Sequence, residues 1–408
     1  MRTNKALTLI LVLLLIISIL AGCKSALDVA EREQGVQDGT SFEHAIIGIM
    51  EDRLTAIQTQ DYGLYMSVIT KNNQFLFNEQ ERWFTQMIEP RIHDLSFQIV
   101  STQMIDDFTA VVNIRQKHEA TTGYDMKRKR DTSESFRIDY PLLFKFEHGK
   151  WMDYGYNFEV FETERFAVKY MQGEQRVDDF AQMLSDAFDN LDDIYELKPL
   201  PGYEMKLFFD REMLRQRSIP ANPWLFTGWS EPDESLKIYT GHPSEYTGYP
   251  GVVQHELVHH ITIRICNNNL PVWILEGIAM YDGSAYYGLE SSSLLSSLSY
   301  AGVSYSIDFL EKTDLGSDLS GADIHTFYNT SYMYVRYISE TYGHDTLMKL
   351  FYEAGKKPFH DSTLNDTFEQ ANQKTADEVI MSVLGLTKAQ LSEAYLIWLD
   401  TLDFHNLD

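Results

Sequence analysis

The sequence predicts an α+β protein: an N-terminal domain of helices and long strands, followed by a larger, mostly helical domain with a small mixed sheet. Three observations carry this. Apolar residues at helical spacing (Ile46, Ile47, Met50, Leu54, Ile57) come first. Long segments then alternate apolar and polar residues between Leu95 and Phe146. Beyond residue 163, short apolar strands are interleaved with helical patterns, and after Tyr239 the pattern is largely helical. The 408 residues suffice for more than one core, and 44% hydrophobic with 13% aromatic residues is the composition of a folded chain.

The chain opens with Arg2 and Lys5, an almost unbroken apolar run over residues 6–20, and then Leu20-Ala21-Gly22-Cys23. A basic start, an apolar core and small residues before a cleavage point read as a secretory signal. Ending in Leu-Ala-Gly-Cys, residues 1–22 resemble a bacterial lipoprotein signal. The resemblance implies that Cys23 becomes the lipidated first residue and that acyl chains, palmitate among them, hold the body at the extracytoplasmic face of the cell membrane. The alternative is an uncleaved membrane helix, for which the apolar run is near the short limit. Residues 23–40 are polar and glycine-containing, as a linker would be. Cys266 is the second of only two cysteines, so no disulfide framework is expected and the thiol reads as a small core residue.

The formal net charge is −26. Nucleic acid is excluded as a partner on this ground, because phosphate contacts need a basic footprint. The basic run Lys127-Arg128-Lys129-Arg130 stands against the trend and reads as a solvated hairpin tip, with anionic headgroups or cell-wall polymer as the alternative contact.

Residues 41–162 form the expected first domain. A helix is predicted from Ile46 to Ile57 and a second from Tyr62, Tyr65, Met66 and Ile69. Leu95-Phe97-Ile99, Ala110-Val112-Ile114 and Leu142-Phe144-Phe146 each place one face of a strand inward, and Gly149-Lys150-Trp151 turns the chain into a last strand. Helices followed by a strand meander resemble the cone-shaped nuclear-transport-factor-like (SnoaL-like) fold, in pattern only. Residues 163–408 form the second domain. Phe166-Val168-Tyr170, Met205-Leu207-Phe209 and Leu236 to Tyr239 read as strands. Val177 to Leu197 reads as a helix with Phe180, Leu184, Ala187 and Leu191 on one face, ended by Pro199 and Pro201-Gly202.

His255-Glu256-Leu257-Val258-His259 is the segment that carries chemistry. On a helix, residues four apart share a face, so both imidazoles reach one metal ion, while Glu256 reaches a water beside it rather than the metal. A third ligand is needed. Thr262 and Ile265 stand where the metzincin pattern requires glycine and histidine, so that pattern is absent. Downstream, Leu270 to Tyr281 is an apolar helix with one carboxylate, Glu276, in its middle, and Asn267-Asn268-Asn269 supplies a turn that lets the two helices run antiparallel. A metal ion would remove the cost of burying an unpartnered carboxylate there.

H-E-L-V-H followed by L-P-x-W-x-x-E-G-x-A resembles the gluzincin superfamily in its thermolysin-like division, over about residues 165–400. The resemblance implies one catalytic Zn2+ held by His255, His259 and Glu276, with Glu256 as general base and a peptide or protein as substrate. It implies that Leu236 to Tyr239 is the sheet edge that pairs with substrate backbone. It also implies a helix start at Tyr328-Asn329-Thr330-Ser331, where Tyr328 donates to the developing oxyanion; Tyr332, Tyr334 and His325 are rival donors. The larger gluzincins carry an acidic residue four after the third ligand. Met280 is there instead, and Asp282 is the nearest substitute. His260 points about 100° away from the ligand face and is expected in an outer shell or in solvent. The rival to a peptidase is a non-catalytic lipoprotein that binds peptide, glycan or a sensor partner.

Overall fold

The computed structural model describes residues 42–125, 130–195, 203–220, 225–241, 248–284, 303, 305–313, 315, 321–359 and 368–402. The leader, Cys23, the linker, and Lys127 to Lys129 with the Arg130 side chain lie outside them. The fold is α+β. Among the described residues no helix is long and apolar enough to cross a membrane. The chain divides into two compact units that are not contiguous stretches. Residues 96–116 and 139–157 join the first helices, and residues 72–95 and 117–138 group with everything from Phe158 onward.

In chain order, α1 (Phe42–Thr59) and α2 (Tyr62–Met66) open the first unit, and α3 (Gln74–Met87) follows. Four strands come next: β1 (Ile92–Asp106), β2 (Thr109–Asp125), β3 (Arg130–Glu147) and β4 (Lys150–Tyr156), hydrogen-bonded in the order β1-β2-β3-β4. The alternation resolves as the sequence implies: Ala110, Val112, Ile114, Leu142 and Phe144 are buried. His148 and Gly149, both at positive φ (50° and 81°), make the tight turn from β3 to β4, where glycine tolerates the left-handed backbone. Asp61 starts α2 by accepting from the Leu64 amide at 2.9 Å.

Periodicity did not point to Arg53. It is fully buried in the first unit, where its guanidinium bonds the Asp153 carboxylate and the Tyr65 hydroxyl (2.6 Å). A buried pair of this kind is nearly neutral against an apolar substitute, but strongly destabilising when one partner is removed.

The second unit continues through β5 (Glu159–Glu162), β6 (Phe166–Tyr170), α4 (Val177–Tyr195), β7 (Tyr203–Phe208), α5 (Arg211–Ser218), β8 (Gly228–Trp229) and β9 (Leu236–Tyr239). The rest is helical: α6 (Tyr249–Ile265), α7 (Val272–Ser284), α8 (Ile307–Lys312), α9 (Gly321–Tyr342), α10 (His344–Ala354), α11 (Phe368–Leu384) and α12 (Lys388–Leu399). The sheet order is β5-β6-β7-β9-β8; β6, β7 and β9 run parallel, and the two outer strands are antiparallel to their neighbours. This corrects the expectation for Leu236 to Tyr239: that strand is flanked on both sides, and the sheet ends at Gly228–Trp229. α4 buries Phe180, Leu184, Ala187 and Leu191 in the same core as Val253 and Leu257 of α6, with Phe180 5.3 Å from the Tyr249 ring and Phe188 4.6 Å from that of Tyr203. Cys266 is buried there, and burial pushes its thiol up to about 11, which makes it inert.

Two stability experiments follow from these buried charges. Arg53→Met is expected to cost about 3–5 kcal/mol in urea unfolding of the first unit, because Asp153 is left uncompensated; adding Asp153→Leu should recover most of the loss. His118 is buried against Phe136, and burial, then Arg215 and His93, lower it from 6.5 to about 4. Its folded value lies below its unfolded one, so its contribution is complete above pH 6.5 and is lost as pH falls from there toward about 4. His118→Phe should flatten that part of the pH–stability curve, which thermal unfolding at stepped pH measures.

Candidate metal centre

Two helices and the turn between them bring the motif residues together. Gly248 precedes α6, Pro250 sits in its first turn where no amide is needed, and the helix presents His255 and His259 on one face. Asn267 and Asn268 adopt left-handed backbone (φ 49° and 56°), as asparagine does more readily than most residues. The Asn267 side chain donates to the Gly355 carbonyl at 2.7 Å, and Asn372 donates to the Asn268 and Leu270 carbonyls at 3.2 and 3.1 Å. The turn is thus pinned from outside, and α7 returns against α6. At Gly283 an added Cβ would lie 3.4 Å from the His255 Cα, so the end of α7 rests on the first ligand's backbone.

Gly277 sets the other contact. A Cβ there would meet Val335 Cγ2 at 2.6 Å and the Ser331 backbone, so only glycine lets α7 approach α9 this closely. Tyr328 lies one turn before Ser331 on α9 and comes to line the same cavity as Glu276. Since α9 begins at Gly321, Tyr328 is inside the helix and not at its start.

At the centre, His255 Nε2 and His259 Nε2 are 3.0 Å apart, and each is 3.3 Å from Glu276 Oε2. Two imidazole nitrogens this close must share a proton or a cation. The edge of a tetrahedron whose corners lie about 2.0–2.1 Å from its centre is about 3.3 Å, so the three donors have the spacing of a tetrahedral His2Glu zinc site. The donor types suit zinc as well. Burial alone would raise the Glu276 carboxyl, but His259 and His255 override it and hold it well below the usual carboxylate range. Among the described residues one other grouping of metal-ligating type, His93, Asp94 and Glu119, lies on largely exposed strand residues.

Glu256 is buried beside the three donors without joining them. It packs on Gly228 of β8, where a Cβ would come within 2.7–2.8 Å of its Cγ and Cδ. Burial drives its carboxyl up to about 8; the His255 and Lys237 charges oppose this, and those of Glu276 and Glu231 assist it. A cavity of about 340 Å³ opens on these groups, lined by His255, Glu256, His259, Glu276 and Tyr328, with Trp229 and Glu231 on the β8 side. Burial and the charges of Glu276 and Glu256 hold the Tyr328 phenol well above its ordinary value, so it stays a donor at neutral pH. No protein-family model matches the chain, and no curated protein matches it.

The other candidates fall away from this cavity. Tyr334 donates to the Tyr305 carbonyl and to Ser392 at 3.1 Å each and stacks on Tyr395, and Tyr332 is buried beside Tyr281. The His325 side chain lies outside the described residues. Asp282 does not orient a ligand histidine: its carboxylate is taken by the Tyr195 hydroxyl and His344 Nε2 (3.3 Å). His260 is a core residue rather than a solvated one. It is buried against Tyr203, and burial lowers it to about 3, which keeps it neutral. The His259 Nδ1 is buried with no protein partner among the described residues, so no carboxylate or carbonyl orients that ring from behind. Sequence reasoning missed Gly228 and Glu231; the nearest signal was a glycine inside an apolar-aromatic stretch (Phe226 to Trp229), which marks a close backbone approach.

Gly228→Ala tests the seat of Glu256. The added methyl must displace the carboxylate, and any turnover that depends on that carboxylate should fall by about 10²-fold. Any metal binding by the three donors should be unchanged in a titration, because they stand on α6 and α7.

Proposed function

We propose that the protein is a zinc metallopeptidase of gluzincin type, held at the extracytoplasmic face of the membrane through Cys23. The observation that carries the catalytic part is the convergence of two imidazole nitrogens and one carboxylate oxygen at 3.0–3.3 Å, with a second, non-ligating carboxylate buried beside them. Zinc bound by His255, His259 and Glu276 would polarise a scissile carbonyl and lower the pKa of a water. Glu256, seated on Gly228, would take the proton of the attacking water and return it to the leaving amine. Tyr328 would donate its hydroxyl to the oxygen on which negative charge develops. β8 ends the sheet beside the cavity and can receive an extended peptide backbone, which favours a peptide over a compact substrate. Leu275, Val272 and Phe226 give the cavity an apolar side.

The experiment is zinc analysis and peptide-cleavage profiling of the purified full-length protein with three variants. Glu256→Gln should bind zinc normally and lose turnover by about 10²–10⁴-fold. His259→Ala and Glu276→Ala should lose zinc and turnover together, and a chelator should do the same to the wild type until zinc is restored. Tyr328→Phe should lower kcat by about 10²–10³-fold with KM little changed. Undiminished biological activity in Glu256→Gln would transfer the case to the non-catalytic, ligand-binding reading.

A further inference from the structure

α3 precedes the long strands in sequence, yet one of its faces grips the stretch that walls the metal cavity. Asn78, Glu79, Arg82 and Trp83 are spaced so that they share a side of the helix. Arg82 reaches two carboxylates with different nitrogens: Nε to Glu234 Oε1 at 2.8 Å and Nη2 to Glu231 Oε2 at 3.1 Å. Asn78 donates to the Asp233 carbonyl between them at 2.7 Å. Glu79 takes Ser235 and Lys206, and lies 3.3 Å from the Lys237 ammonium, which itself holds Glu234 at 2.7 Å. Trp83 donates to the Gln216 carbonyl at 2.8 Å. Burial is the largest influence on Glu79, and the two lysines reverse it to hold the carboxyl well below its usual range.

The gripped stretch is the turn from β8 to β9. Its first strand has two residues, paired through Gly228 with Ile238 and Trp229 with Lys237. So short a strand is marginal on ladder bonds alone. Yet Gly228 seats Glu256, and Trp229, Ser230 and Glu231 line the cavity.

We propose that Arg82 is a positioning residue of the metal site. By bridging Glu231 and Glu234 it fixes the turn, and through the turn it fixes the edge strand that receives substrate and seats the general base. This rests on the peptidase reading for its kinetic consequence and on contacts alone for its structural one. Arg82 is not among the residues that line the cavity. Its role differs from that of a ligand in a measurable way: it governs the wall and leaves the metal alone.

The test uses the full-length, zinc-loaded protein at a temperature well below unfolding, with Arg82→Met, Arg82→Lys and Glu231→Gln. Two readouts are taken, hydrogen exchange of residues 226–239 and steady-state kinetics on a peptide substrate. Arg82→Met should speed exchange across 226–239 while α6 and α7 keep wild-type protection and the zinc content is unchanged. It should lower kcat/KM on the order of 10- to 100-fold, with the loss shared between KM, through the edge strand, and kcat, through the seat of Glu256. Arg82→Lys should restore only part, because an ammonium cannot hold both carboxylates as the guanidinium fork does. Glu231→Gln, which keeps shape and removes one arm of the bridge, should act in the same direction and more mildly. A fall in thermal stability with KM and exchange unchanged overturns the proposal, since that is what a purely structural ion pair would give. A wild type that cleaves no peptide would sink the peptidase reading. The exchange readout then decides alone, and unchanged protection at 226–239 in Arg82→Met overturns the positioning role in either case.

Discussion

The second unit is organised around an arrangement that its apolar interior opposes: two imidazoles and a carboxylate brought within 3.3 Å of one another between two largely buried helices. Converging polar groups there loses hydration and gains little unless a cation is shared among them. The surrounding residues read as the means of enforcing that convergence. Left-handed Asn267 and Asn268 turn the chain without a longer loop, and their partners at Gly355 and Asn372 keep the turn from relaxing. Gly277 removes a side chain that would separate α7 from α9, and Gly283 brings the end of α7 to within van der Waals range of the His255 backbone.

Environment, rather than residue type, separates the roles of the two carboxylates. Glu256 is buried and Glu276 is partly so, and desolvation pushes both upward. Glu276 faces both imidazole nitrogens and is drawn strongly down, whereas Glu256 lies against a backbone glycine, weakly compensated, and rises to about 8. Opposed environments of this kind fit the proposed division between a charge-bearing ligand and a proton carrier. They also explain why the glycine on β8 matters more to Glu256 than any side chain would: a neighbour with a Cβ would occupy the place of the carboxylate.

How much of this was legible in the sequence depends on the range of the interaction. The i, i+4 histidines, the lone Glu276 in an apolar helix and the asparagine turn are local signals, and the helical period places the two histidines on one face without any knowledge of the fold. Alternation in the first unit is local in the same sense, and Ala110, Val112, Ile114, Leu142 and Phe144 are buried as their period requires. The rest is carried by pairs far apart in sequence. Arg53 meets Asp153 across 100 residues, Arg82 meets Glu234 across 152, and Gly228 meets Glu256 only after a strand and a turn intervene. A charged residue at such a position has the same local pattern as a solvated one, so periodicity marks it as surface. Asp282 shows the converse. Its place after Glu276 suggested a ligand-orienting role, but Tyr195 and His344, from distant helices, had already taken its oxygens.

The sheet edge draws these threads together. The gluzincin resemblance put the substrate-pairing edge at Leu236 to Tyr239, the strand that precedes the helix of His255 and His259. In a sheet with parallel strands, however, such a run belongs inside, covered on both sides. The strand left at the end beside the cavity is the two-residue Gly228–Trp229. Its brevity has a cost, because two residues of ladder cannot fix their own position to the tolerance that the proposed role of Glu256 needs. Contacts from outside the sheet must then supply the rigidity. The nearest source is the helix that carries Asn78, Glu79 and Arg82, and this gives a physical reason for residues 72–95 to group with the second unit although the strand meander separates them from it in sequence.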